Sequence, residues 1–378
     1  MEPGLKDFSE DQDVMRFTLH GIEVCFANAL RRTILSDIPI VVIETETFEK
    51  NQCNILENTG RLHNEIIKQR LSCIPIHSTL LRDNEHQKAL PGNYSLVLDV
   101  ENDTENTLFV TTEHFRLKDN NNDGKILSKE EMDTLFPGLF PKNVQTQSYV
   151  DFARLRPKIG NNIPGEKLSL TAEFTISDAK QNSMYNVVSK CSYGNTQDQG
   201  KISTVWDKLE QKLRAAGESD QDIQFEKQNF KLLDAQRHFV ENSFDFILQT
   251  IGIYENKEIV RKACAALQNK FIDMVELIDN GNMPVYISET TMDHCYDIHL
   301  EGEDYTMGKI LEYILYSKYY EKEKLTYCGF KKYHPHDTHS VIRIAFTNKE
   351  DKSIVNTYLR DACVDAQQVF KDIYKMFK

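Results

Sequence analysis

The sequence predicts an α+β fold: two units, each a sheet with packed helices, joined in one chain, with a mainly-β segment inserted into the first. Three observations predict it. Apolar stripes at helical spacing recur along the chain, and the first two are stopped by prolines. Alternating or β-branched segments follow those prolines, as strands require. Between residues 78 and 148 the composition turns polar and rich in turn formers. The 378 residues, 40% apolar and 27% charged, suit two or three domains with a proper core and exclude global disorder.

The first element is a helix over Glu23–Asp37, where Phe26, Leu30 and Ile34 recur at i, i+4 and i+8 beside Ala29 and Thr33. At about 100° per residue, Arg31 and Arg32 stand roughly 100° and 160° from Leu30, so Arg31 flanks the apolar face and Arg32 opposes it. Both are expected to be free for another partner. Pro39 stops the helix, and Ile40–Phe48 reads as a strand. A second helix near His63–Leu71 runs into Ile74-Pro75-Ile76. From Ser78 to Ser148, Gly, Asn and Asp separate short strands such as Tyr94–Val100, which marks an inserted subdomain. The main sheet resumes at Tyr149–Leu155 and Lys167–Ile176, the latter placing Leu168, Leu170, Ala172, Phe174 and Ile176 on one face.

Asn195–Gln224 is charged and Gln-rich and reads as a loop with a solvated helix. A helical run from Asp222 into Phe239, a strand over Ser243–Ile253 and a helix over Glu258–Ile278 close the first unit. Asp279-Asn280-Gly281-Asn282 is the turn cluster at its end. Beyond it come strand and loop over Pro284–Leu300, a helix over Thr306–Tyr319, a strand over Ser340–Phe346 and a closing helix whose apolar residues run from Val355 to Phe377. That last stripe needs a partner surface, and the chain's own first helix is the candidate.

Lysine plus arginine number 45 against 58 Asp plus Glu, a net charge of −13. A free-standing nucleic-acid binder gains its affinity by neutralising phosphates, so that class is excluded. No apolar run approaches the ~20 residues of a spanning helix. The acidic start, Met1 to Asp13, lacks the apolar core of a secretory signal, so an intracellular location is expected. Eight cysteines, none in a CxxC pair, stand at least twenty residues apart. That spacing argues for reduced thiols rather than structural zinc, iron–sulfur or a disulfide framework.

Asp119-Asn120-Asn121-Asn122-Asp123-Gly124 through Glu130 satisfies the EF-hand spacing, which would put Asp119, Asn121, Asp123 and Glu130 on Ca²⁺. Its context is against it, since a strand precedes and no second loop pairs with it; an Asn/Asp/Gly turn uses the same residues. His334, His336 and His339, with Cys328 before them, are metal-ligand types, but Pro335 lies among them and no helix sets their spacing. Asp11/Asp13 and Asp220/Asp222 are the DxD pairs, both in polar stretches. GxSxG, HExxH and phosphate-cradling glycine loops are absent from the sequence.

Phe26 through Pro39, with Asn28, Leu30, Arg31, Arg32 and Ile34 at its centre, resembles the alpha motif of multisubunit DNA-directed RNA polymerases: bacterial alpha, archaeal D and the eukaryotic third-largest subunit. Three further segments resemble that family in order. They are His63–Ile76 with Arg70; Phe136-Pro137 followed by Leu155-Arg156-Pro157 and Pro164-Gly165-Glu166; and Phe244–Gly252. After residue 285, Gly302-Glu303-Asp304-Tyr305-Thr306-Met307-Gly308 and then Cys328-Gly329-Phe330 to His334-Pro335 resemble the small partner of that family, archaeal L or the eukaryotic eleventh subunit.

The resemblance implies two alpha-like dimerisation units in one chain, an arrangement associated with large nucleocytoplasmic DNA viruses. Residues 1–77 and 149–278 would form the D-like unit, 78–148 an inserted subdomain, 279–284 a linker and 285–378 the L-like unit. It implies a non-catalytic assembly platform in host cytoplasm or nucleus, or packaged in the virion. The partners implied are the second-largest and largest polymerase subunits and a small tenth-subunit-like protein, without sequence-specific DNA contact or membrane. The interface residues implied are Phe26, Asn28, Leu30, Arg31, Arg32, Ile34, Arg70, Glu303, Asp304, Thr306, Gly308, His334 and Pro335, with Arg31 and Arg32 assigned to the second-largest subunit. Two departures matter: residues 78–148 contain no cysteine, so no cofactor is expected there beyond Ca²⁺ at 119–130, the basis of an alternative reading as a calcium-binding regulatory or interaction protein, and a DNA-contacting C-terminal domain of the bacterial kind is not expected.

Overall fold

The computed structural model describes residues 1–77, 90–160 and 162–378. The start of the expected insert, 78–89, lies outside the described residues. The chain opens with β1 (Gly4–Asp11), β2 (Val14–His20), α1 (Val24–Ser36), β3 (Ile40–Val42), β4 (Cys53–Asn58) and α2 (Asn64–Ser72). Then come β5 (Tyr94–Glu101), β6 (Leu108–Thr111), β7 (Arg116–Asp119), α3 (Lys129–Leu135), β8 (Asp151–Leu155), β9 (Lys167–Glu173) and β10 (Thr175–Ser177). β11 (Val188–Gln197), α4 (Gln199–Ala215), α5 (Asp220–Leu232), β12 (Phe239–Thr250) and α6 (Asn256–Asp279) follow. The last stretch holds β13 (Val285–Ile287), β14 (Cys295–Glu301), α7 (Tyr305–Leu315), β15 (Leu325–Lys331), β16 (His339–Phe346) and α8 (Lys352–Met376). The fold is α+β, as expected.

These elements form two compact units, one of residues 1–34, 190–249 and 256–378, the other of 35–189 and 250–255. The first unit holds an internal repeat. One half runs β1, β2, α1, β11, β12, α6 and pairs its strands in the order β1-β2-β12-β11. The other runs β13, β14, α7, β15, β16, α8 and pairs them as β13-β14-β16-β15. β1–β2 and β2–β12 pair antiparallel, as do β13–β14, β14–β16 and β15–β16, and both halves follow strand, strand, helix, strand, strand, long helix.

The long helices α6 and α8 pack on each other. α6 buries Ile259, Ala263, Leu267, Phe271 and Met274, and α8 buries Val355, Leu359, Ala362, Ala366, Phe370 and Ile373, each at three- and four-residue spacing. Burying a Leu, Ile or Phe side chain contributes about 1.5–3 kcal/mol, so this seam is a large share of the unit's stability. The closing helix therefore has α6 as its principal partner; α1 adds a single ring contact, Phe26 on Phe370 at 5.6 Å. Phe17 stacks on Phe246 and meets Phe377 edge-on, both at 5.0 Å, which seats the end of α8 on the first sheet.

Asn195–Gln224 differs from expectation. It contains α4, and the segment continues into α5; the two helices share a small core of Trp206, Ile223, Phe230 and Ala235. The run dominated by charge and Gln conceals Trp206 and Ile223, with Ile202, Val205, Leu209 and Leu213 packed against that core. Ser219 caps α5, so Asp220 and Asp222 sit in its first turn, where carboxylates suit the helix dipole. The helical run ends at Leu232, and β12 starts at Phe239, earlier than the sequence suggests.

The second unit holds the sheet β4-β9-β5-β7 and the ribbons β3–β10 and β6–β8, so Tyr149–Leu155 and Lys167–Ile176 do not resume the main sheet as expected: β8 pairs with β6, and β9 with β4 and β5. Leu96, Leu98, Phe115, Phe152, Leu168 and Leu170 make its core. Ile176 is 46% exposed, although Leu168 to Phe174 are buried in alternation. The strand breaks after Glu173, and β10 pairs with β3 instead. β3 likewise stops at Val42, because only three residues of β10 face it, and residues 43–52 leave as a turn. Pro164-Gly165-Glu166 has a packing reason: a Cβ on Gly165 would lie 1.7 Å from the Asn102 carbonyl oxygen. Asn102 is fully buried and donates to the carbonyls of Asn106 (2.8 Å) and Leu155 (2.9 Å).

In the second sheet of the first unit Arg343 grips Asp297 with Nε on Oδ1 at 2.6 Å and Nη2 on Oδ2 at 2.7 Å. That hydrogen bonding holds the Asp297 carboxyl below its ordinary range. A depressed folded pKa stabilises the protein above the unfolded value of about 4, and the contribution is lost as pH falls through the folded value. Asp297→Asn should therefore cost about 2 kcal/mol at pH 7, the scale of a charge-assisted pair. In thermal melts the gap from wild type should close below pH 4; a gap constant with pH would refute this.

Candidate assembly interface

Besides the seam of α6 and α8, the two halves of the first unit meet where α1 comes up against the start of α7. α1 buries Phe26, Ala27, Ala29, Leu30, Thr33 and Ile34, the stripe read from the sequence. Arg32, next to the stripe's end, donates from Nε to Thr306 Oγ1 at 2.9 Å, and its Nη2 pairs with Asp304 Oδ2. The other oxygen of Asp304 accepts from the Thr306 backbone N–H at 2.8 Å and so caps α7. One carboxylate thus serves two elements, orienting α7 and tying it to α1. Both charged side chains are 36% exposed, so solvent screens the pair and it contributes about 1 kcal/mol or less.

Other groups surround this joint. Lys270 of α6 reaches Glu303 at 3.6 Å, and the Glu303 carbonyl accepts from Ser340 Oγ at 2.9 Å. Arg261 donates to the Tyr374 hydroxyl at 2.9 Å, and Arg360 pairs with Asp279 at 2.9 Å, which pins α6 and α8 at two places. Gly308 lies under the Phe330 ring: a Cβ there would be 1.9 Å from Phe330 Cε2. Phe26 meets Tyr313 of α7 at 6.5 Å, nearly edge-on. Burial, then Glu23, pushes the Tyr313 phenol up to about 12. Burial does the same to the thiols of Cys25, Cys191, Cys328 and Cys363, pushed up to about 12 and therefore not thiolates at neutral pH.

Of the residues singled out from sequence, Phe26, Leu30, Ile34, Arg32, Glu303, Asp304, Thr306 and Gly308 come together here. Arg32 is a correction: the helical wheel leaves it free, and the structure commits it to the second half. Helical angle alone could not show that α7 starts opposite it. Arg31 donates to Asn28 Oδ1 one turn back on α1, from Nη2 at 2.8 Å and Nε at 3.2 Å. Arg70 lies in the second unit, where it clasps the backbone of β8 by donating to the carbonyls of Phe152 (2.7 Å) and Asp151 (2.8 Å). His334 and Pro335 sit on an exposed turn in which His334 N–H donates to Asp337 at 2.9 Å and His336 N–H to His334 Nδ1 at 3.2 Å. Sequence reading missed Lys270, Phe330 and Phe370 as joint residues. Phe330 and Phe370 carried a signal, one in a quoted motif and one on the closing stripe; Lys270 carried none.

The 119–130 loop leaves strand β7 and enters α3. Asp119 accepts from the Asn121 N–H at 2.9 Å, and the Asn121 amide is spent on Asn93 at 2.9 Å. Among the described residues no group of three or more His, Cys, Asp or Glu side chains is arranged to hold a metal ion. No described helix is long and apolar enough to cross a membrane.

The sequence profile described as "RNA polymerase Rpb3/Rpb11 dimerisation domain" matches residues 16–271, and a second profile of the same description matches 295–375. The chain is similar to the DNA-directed RNA polymerase subunit Rpo3 of Thermococcus kodakarensis, 45% identical over 64 residues, 17% of this chain and 22% of the relative. Rpo3 of Thermoplasma volcanium is 35% identical over 81 residues, 20% of this chain and 30% of the relative. The human DNA-directed RNA polymerases I and III subunit RPAC1 is 32% identical over 68 residues, 18% of each chain. These alignments span less than a third of each relative's length. The two profile matches fall one on each half of the repeat, and with them the chain belongs to the RNA polymerase Rpb3/Rpb11 dimerisation-domain family.

Proposed function

We propose that this protein is the assembly platform of a DNA-directed RNA polymerase, joining in one polypeptide two halves that in other polymerases are separate chains. The observation that carries the reading is the joint itself. The alpha-motif helix of the first half reaches the Glu303-Asp304-Tyr305-Thr306 start of the second through Arg32, inside one compact unit. Fusion makes such pairing intramolecular, with an effective concentration in the mM range for a short linker, so it no longer depends on protomer concentration. On this reading the paired halves dock the second-largest and largest subunits, with a small tenth-subunit-like protein, and chemistry belongs to those large subunits. Arg31 is then the residue of the motif left to face the second-largest subunit, and no cofactor is needed in this chain. On the resemblance of the fused arrangement, the polymerase is read as one of a large nucleocytoplasmic DNA virus, acting in host cytoplasm or nucleus or carried in the virion.

Two measurements test this. Tagged protein purified from its native source should bring two very large polymerase subunits with it in equal amounts, and the isolated chain should incorporate no nucleotide. Recovery alone, or nucleotide incorporation by the chain itself, would overturn the reading. For the joint, Arg32→Ala should cost about 1 kcal/mol by denaturant unfolding, and Asp304→Ala about 1 kcal/mol more because the α7 cap goes too. The double variant should reveal a coupling of about 0.5–1 kcal/mol; strict additivity would remove Arg32 from the joint.

A further inference from the structure

Phe48 stands at the tip of the turn that follows β3, and it is 98% exposed; no other described phenylalanine exceeds 62%. Its exposure is built in. The turn is closed by Gln52 N–H on the Glu44 carbonyl at 2.8 Å and by Lys50 N–H on Thr47 Oγ1 at 3.2 Å. Asn51 braces its end, donating to the Cys53 carbonyl at 3.0 Å and accepting from the Cys53 N–H at 3.3 Å. The turn's own hydrogen bonds hold the ring out from the unit, where it joins an apolar wall.

Behind the ring, between the turn and α2, lies a groove of about 430 Å³. Phe48, Ile66 and Met184 supply its apolar wall, and Glu46, Glu65 and Lys68 its charges. The turn also carries Glu44, Glu49 and Lys50, the last 3.5 Å from Glu44, so groove and turn together hold four carboxylates against two ammonium groups. The Glu65 carboxyl is held below its ordinary range by its own backbone N–H and by His63, which keeps it ionised. Asn182 occupies one oxygen of Glu46. Close by, the Tyr185 hydroxyl is buried without a hydrogen-bond partner, in the field of Glu44 and Glu46. An apolar wall with a surplus of negative charge is complementary to a cationic, apolar-bearing chain and repels nucleic acid and acidic membrane.

We propose that this groove docks a basic segment of another polypeptide, which lays an apolar side chain against Phe48, Ile66 and Met184 and sets a Lys or Arg between Glu46 and Glu65. The proposal rests on the reading of the chain as an assembly platform and adds a docking point in the second unit.

Phe48 replaced by photoreactive p-benzoylphenylalanine, in the purified assembly, should give one major cross-link to a different polypeptide. The linked peptide should carry net positive charge beside an apolar residue. The pair Glu46→Gln and Glu65→Gln should lower its yield about tenfold, the worth of one lost charge contact. An acidic linked peptide, or no link to another chain in an intact assembly, overturns the groove and leaves the platform reading standing. Failure of any assembly to form overturns the platform reading instead. The groove is then decided on the full chain alone, with a fluorescent Lys/Leu peptide and its Glu/Leu counterpart. Preference for the Lys/Leu probe that is lost in Phe48→Ala supports it, and equal binding by wild type and Phe48→Ala overturns it.

Discussion

The apolar faces of α6 and α8 are each too long to be solvated, and each is the other's cover. Ile259 through Ile278 on one helix and Val355 through Ile373 on the other leave the water together, with Phe271 and Phe370 stacked 6.2 Å apart at the seam. Everything else in the first unit follows from that burial. The seam joins the two halves, and across the same joint α1 meets the start of α7 through the Arg32 pair. A partly exposed ion pair contributes too little to hold two halves together. It contributes direction, by selecting which face of α7 meets α1, while the helix seam contributes the energy.

The repeat also explains where the second unit comes from in the chain. In the second half α7 passes to β15 through a short connection, residues 316–324. In the first half the equivalent connection, from α1 to β11, holds residues 37–187, almost all of the second unit. A connection between helix and strand is a surface position, where added chain leaves the core's hydrogen bonds intact. The added chain then needs a core of its own, and Leu96, Phe115, Phe152 and Leu168 are among the residues that provide it, with Cys53 buried beside them. The same logic on a smaller scale accounts for α4 and α5, inserted between β11 and β12 and steadied by Trp206 on Phe230 at 5.5 Å.

Gly308 and Gly165 show how a motif residue acquires its reason. From sequence each was one letter of a resemblance. In the structure the first leaves room for the Phe330 ring and the second for the Asn102 carbonyl, so a methyl group at either position would collide. Gly165 and Asn102 are 63 positions apart, and no local pattern connects them. Arg32 is the opposite case. Its local pattern puts it off the stripe, correctly, yet the inference that it is therefore free fails, because a helix face away from one apolar layer can still face another element.

What the sequence by itself determined is what depends on neighbours three or four residues away, or on covalent limits. That includes the stripes of α1, α6, α7 and α8, the stop at Pro39, the alternation of Leu168 to Phe174 and the absence of closely paired cysteines. Helical and strand periods are local geometry, so the chain states them directly. What only the tertiary structure decided is which stripe covers which. It chose α6 over α1 as the principal partner of α8, set Arg32 on Asp304, turned Ile176 outward by pairing β10 with β3, and left Phe48 in water. Each of these rests on contacts between residues far apart in the chain, whose closure is decided by the burial of the whole and not by any local preference.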